Sequence, residues 1–76
     1  MRYYFDLICG QNETVDDEGC DLSEAEMQKQ AVRLLAEIAS DEAPTGNPPA
    51  LTARVRDAQG NAIYRAVLHI EGARLQ

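Results

Sequence analysis

The chain has 76 residues, 45% hydrophobic and 26% charged, with a formal net charge of −6. That length admits one domain, residues 1–76, near the lower limit for folding without disulfides or metal, and it excludes a second. No apolar run approaches the ~20 residues that span a bilayer, and Asp6 interrupts the first apolar stretch too early for a secretion signal, so a globular cytoplasmic protein is expected.

Residues 2–9 alternate, with Tyr3, Phe5 and Leu7 on one face and Tyr4, Asp6 and Ile8 on the other, which is the pattern of a strand. Gly10-Gln11-Asn12 is turn chemistry, and Glu13 to Asp16 are read as a short, charged return strand. Ser23-Glu24-Ala25-Glu26 is a capping box, in which the serine hydroxyl and the glutamate each satisfy an orphan amide. From Glu24 to about Glu42, the apolar residues Met27, Ala31, Leu34, Leu35 and Ile38 recur at helical spacing and predict one amphipathic helix. The proline-rich stretch from Ala43 to Pro49 ends it and makes a stiff loop. Leu51 to Arg56 alternate as a strand, and Asp57-Ala58-Gln59-Gly60-Asn61 supplies a type I turn with glycine at the left-handed position. A last strand is expected from Ile63 to about Glu71, with Tyr64, Ala66, Leu68 and Ile70 on its apolar face. The fold expected is α+β: one helix on a four-stranded, mainly antiparallel sheet, in the order β-β-α-β-β.

Charge is unevenly spread. Residues 1–28 hold eight acids against Arg2 alone, a net of −7, while residues 29–76 hold five acids and six bases, a net of +1. An acidic chain lacks the basic surface that displaces counterions from phosphates, which argues against nucleic acid and anionic membranes as partners. The stretch containing Glu13, Asp16, Asp17, Glu18, Asp21, Glu24 and Glu26 is read first as a solvated edge and a charged helix start, and second as a surface for a basic partner. If Cys9 faces Glu13 across the first turn, Cys20 lies opposite Arg2, about 23 Å from Cys9, so two free thiols are expected.

A single helix covers one side of such a sheet, and the other is expected to be bare. On it the alternation places Tyr4, Asp6, Ile8, Thr52, Arg54, Arg56, Arg65, Val67 and His69. Aromatic, branched and arginine side chains on an open face have the composition of a protein interface, with Tyr4, Ile8 and Val67 central and Arg54, Arg56 and Arg65 at the rim; the competing reading is a plain solvated sheet. The same arginine stripe is a candidate for contact with phosphate or carboxylate.

Catalytic and metal chemistry find little support. His69 is the lone histidine, Ser23 is taken as a cap, and nothing in the sequence brings Cys9 to His69. Cys9, Cys20 and His69 lack zinc-ligand spacing, an EF-hand frame would place Thr14 and Ala25 where acidic ligands are required, and no glycine-rich phosphate loop exists. No enzyme, cofactor or metal is expected.

The opening Arg2-Tyr3-Tyr4-Phe5-Asp6-Leu7, the Asp17-Glu18-Gly19 before an alanine- and leucine-rich helix, and the Val55-Arg56-Asp57-Ala58-Gln59-Gly60 hairpin run along nearly the whole chain. In these it resembles a family of short bacterial proteins known only as a domain of unknown function. That resemblance implies the fold and carries no catalytic residues. Gly19-Cys20 and the acidic helix start also resemble small antitoxins built from a hairpin and a helix. The expected function is a non-enzymatic interaction module that self-associates, as a homodimer, through the open sheet face or an edge strand. The alternative is an acidic, antitoxin-like regulator that binds a basic protein partner.

Overall fold

The computed structural model describes residues 1–42, 50–70 and 74–75. Among them lie strands β1 (Arg2–Cys9), β2 (Asn12–Thr14) and β3 (Cys20–Asp21), helix α1 (Glu24–Glu42), and strands β4 (Leu51–Arg56) and β5 (Ala62–Leu68). The sheet runs β2-β1-β4-β5, and β3 also pairs with β1; every pairing is antiparallel. The α+β architecture expected from the sequence is therefore present, with one correction: a fifth, two-residue strand stands between β2 and the helix. The last strand runs from Ala62 to Leu68, starting one residue earlier than expected and ending before His69, while the connection 43–49 lies outside the described residues.

Alternation along β1, β4 and β5 builds the core. Tyr3, Phe5, Leu51, Ala53 and Val55 are buried beneath Met27, Ala31, Leu35 and Ala39 of α1, while Leu34 and Ile38 pack at the margin. Each fully buried large side chain in this set contributes about 1.5–3 kcal/mol. Ala31 faces this sheet with no side chain beyond Cβ, as does Ala53 within it, and α1 packs mainly over β4 and β5. The helix starts where the capping box places it. The Glu26 amide donates to Ser23 Oγ at 3.2 Å, and the Ser23 amide donates to Glu26 Oε1 at 3.1 Å.

The β4–β5 connection is closed by local chemistry. Gly60 N–H donates to the Asp57 carbonyl at 3.0 Å, the Asp57 carboxylate accepts from the amides of Gln59 and Asn61, and Gly60 takes a φ of 88°. A bulge at Ile63 then restores the register, so that Tyr64 meets Val55.

The register at the other end differs from expectation. Cys9 pairs with Asn12 across a two-residue turn, not with Glu13, and Cys20 pairs with Tyr3, not Arg2. Three residues of β1, Tyr4 to Asp6, face five, Val15 to Gly19, so the returning chain bows away from the strand and rejoins it two residues later. Cys9 and Cys20, both free thiols, stand six positions apart along β1, about 20 Å.

Candidate functional site

Where the returning chain bows away, β1 has no strand neighbour on its outer edge, and a side chain takes the place of one. Phe5 N–H donates to Asp16 Oδ2 at 3.1 Å, while the other carboxylate oxygen of Asp16 accepts from the amides of Glu18 and Gly19. Asp16 N–H in turn donates to Asp6 Oδ1 at 3.0 Å. Asp6 lies on the face away from the helix and is nonetheless fully buried.

Two arginines from β4 enclose it. The register sets Arg54 directly across from Asp6 and Arg56 across from Tyr4. Arg54 donates from Nε and Nη2 to Asp6 Oδ2 at 3.1 and 2.9 Å, and Arg56 donates from Nε to Oδ2 at 2.7 Å and from Nη2 to Oδ1 at 2.9 Å. Arg54 also pairs with Glu13, and Arg56 Nη2 donates to the Asp16 carbonyl at 2.7 Å. The Arg56 guanidinium lies over the Tyr4 ring, 5.3 Å from its centroid. No buried side-chain nitrogen or oxygen among the described residues is left without a partner.

Burial pushes the Asp6 carboxyl up, but hydrogen bonds from Arg56, the Asp16 amide and Arg54 outweigh it and hold the group below its ordinary value of 3.8. Asp16 follows the same pattern, with burial opposed by the amides of Phe5, Glu18 and Gly19. Both are therefore carboxylates at neutral pH, and two arginines against Asp6, Asp16 and Glu13 nearly balance the local charge.

This arrangement corrects the picture of a bare second face. Tyr4, Ile8, Arg54 and Arg56 are half-buried; Arg65 and Val67 are exposed, Val67 at 56%. Arg54 and Arg56 are committed to Asp6, so the arginine stripe is not a row of free cations, and Arg65, across from Arg54, stands apart from the cluster. The one sequence signal for the cluster was an aspartate in the middle of an aromatic strand, a residue type that strands disfavour. Cys9 belongs to the helix-facing set with Leu51 and Leu68, and alternation places His69, the residue after Leu68, on the opposite side. Among the described residues no group of three or more histidine, cysteine, aspartate or glutamate side chains is placed to hold a metal ion. No described helix is long and apolar enough to cross a membrane.

A sequence profile described as Domain of unknown function (DUF6894) matches residues 2–69, from the start of β1 to just past β5. The chain belongs to the DUF6894 family. All of the cluster falls inside the matched DUF6894 region. Comparison with curated proteins and with solved structures gives no match.

Gly19 fixes how the bowed segment of this DUF6894 domain lies on Tyr4. Its φ is 75°, and a Cβ there would sit 2.9 Å from Tyr4 Cε2 and 3.1 Å from the Tyr3 carbonyl oxygen. Gly19→Ala is expected to destabilise the protein by about 2 kcal/mol, combining left-handed strain with a clash against ring and backbone. Gly60→Ala, at a similar φ but with nothing within 4 Å, should cost about half as much. Urea denaturation of the two variants measures the difference, and equal losses would show that the contact with Tyr4 carries no energy.

Proposed function

We propose that this chain is a non-enzymatic self-association module in which a second copy adds antiparallel to the outer edge of β5. The observation that carries the reading is the inequality of the two sheet edges. One edge is closed by β2, by β3 and by the Asp16 carboxylate between them. The other is the seven-residue strand β5, which among the described residues pairs with β4 alone. Edge strands are commonly guarded by shortness, proline or several charges; β5 is long, lacks proline and has Arg65 as its one charged residue.

Exposed apolar residues flank that edge. Ile63 is 46% and Val67 56% exposed, and on the helix side a shallow groove runs between Val32 of α1 and Tyr64. A two-fold pairing of β5 strands uses one surface from each copy and satisfies the outward amides and carbonyls of both. The charged, internally satisfied Asp6 cluster makes the middle of the open face a poorer docking surface than this edge, so of the two routes to self-association the edge has the better support. The antitoxin-like alternative draws less: Glu13, Asp16, Asp21 and Glu26 are each held by Arg54, backbone amides, Arg2 or the helix cap.

Sedimentation and hydrogen exchange test the reading together. The wild-type chain is expected to be dimeric at low micromolar concentration, with the outward amides of β5 protected. Ile63→Lys and Val67→Lys should each weaken association at least tenfold without changing helicity, since both side chains already face solvent. A wild-type monomer with unprotected β5 amides, or a dimer indifferent to both lysines, would overturn it.

A further inference from the structure

α1 lies mainly over β4 and β5, so that on the helix-facing side of β1 Tyr3 and Phe5 are buried but Leu7 is only half-covered, and a groove of about 400 Å³ opens between the helix and the bowed segment. Its floor is apolar, formed by Phe5, Leu7 and Leu34, and Val15, 59% exposed, stands on the outer wall. The same wall presents Asp17 and Glu18, whose carboxylates make no hydrogen bond or ion pair with the described residues, unlike most acids of this region. We propose that this groove binds an extended peptide segment in which aliphatic residues alternate with lysine or arginine, the aliphatic side chains entering the floor and the cations meeting Asp17 and Glu18.

Rigidity and charge complementarity argue for that occupant. The wall is anchored on one side by the Asp16 hydrogen bonds to Phe5, Glu18 and Gly19 and on the other by Arg56 on the Asp16 carbonyl and Arg2 on the Glu18 carbonyl. It is thus set before any ligand arrives, which lowers the entropy cost of binding. The pairing of an apolar floor with two unneutralised acids selects against nucleic acid and anionic lipid, whose phosphates those acids repel, and in favour of a cationic, partly apolar chain. The acidic stretch seen in the sequence thus narrows to two residues beside a specific apolar surface.

The probe is the blocked pentapeptide Leu-Arg-Leu-Arg-Leu, titrated into the full-length, nitrogen-15-labelled chain, with Leu-Glu-Leu-Glu-Leu as its counterpart. Saturable shift changes are expected at Leu7, Val15, Glu18 and Leu34, weakening as salt is raised. The double variant Asp17→Asn, Glu18→Gln should bind at least tenfold more weakly, and Val15→Ser several-fold. Val67→Lys, at the far edge of the sheet, should bind as wild type, which keeps this groove separate from the self-association surface. Equal binding of the acidic peptide, shifts confined to β5, undiminished binding by the double variant, or no saturation at millimolar peptide would each overturn the proposal.

Discussion

Asp6→Asn is expected to remove about 3 kcal/mol of folding free energy, most of what a single small core supplies at this size, and to lower the melting temperature by about 10–20 °C. Five donors converge on the two Asp6 oxygens: Nε and Nη2 of both Arg54 and Arg56, and the Asp16 amide. Asparagine keeps the shape, but it turns one acceptor into a donor aimed at other donors, and it removes the charge against which two guanidinium groups are held. The damage should extend to the bowed segment, because the Asp16 amide loses its partner and the Asp16 carbonyl loses a well-placed Arg56. Faster hydrogen exchange at Asp16, Glu18 and Gly19 would report it. The same physics sets a control. Replacing Asp6→Leu with Arg54→Met and Arg56→Met leaves no buried charge stranded, only the exposed Glu13 without its arginine, and should cost less than Asp6→Asn alone, since breaking a buried pair is worse than removing it whole. Chemical denaturation of the two proteins decides the matter; an Asp6→Asn variant within 1 kcal/mol of wild type would mean the cluster is well solvated and structurally idle.

What the sequence disclosed about this fold was what is local or periodic. The period of two in Tyr3, Phe5 and Leu7 against Tyr4, Asp6 and Ile8 needs no partner strand to be read. The Ser23–Glu26 box acts over three residues, and the Asp57–Gly60 turn likewise. Strand β3 was hidden because two residues carry no period, and it exists only through pairing with Arg2 and Tyr3, whose partners Asp21 and Cys20 lie 19 and 17 positions later. Asp16 read as part of a charged edge because a carboxylate standing in for a missing strand leaves no pattern in composition. Most of the candidate site was hidden for a related reason. Arg54 and Arg56 are 48 and 50 residues from Asp6, and only the adjacency of β1 and β4 turns three residues of correct parity into one ion cluster. Parity placed them on the same face; strand order, which parity does not encode, decided that they touch.

Acid should unfold this protein in a defined window. Asp6 and Asp16 are each held below the ordinary value of 3.8 when folded, so their contribution to stability is fully present above about pH 5 and is lost as pH falls through their folded values, below about pH 4. The urea midpoint is thus expected to be insensitive to these two groups from pH 5 upward and to drop as the pH falls below about 4. Glu26 and Asp57 shift in the same direction, through the Ser23 amide and the Asn61 amide respectively, but both are exposed and add little. The variant lacking Asp6, Arg54 and Arg56 separates the contributions. Its acid loss should be clearly smaller than that of the wild type yet not zero, because Asp16 still accepts from Phe5, Glu18 and Gly19. Identical acid profiles for the two proteins would place the titrating groups elsewhere, while a flat profile in the variant would mean that Asp16 loses its depressed value once the arginine on its carbonyl is gone. That last outcome would make the bowed segment a dependent of the cluster and not an independent brace on β1, and the Gly19→Ala cost measured in the variant background would then fall toward that of Gly60→Ala.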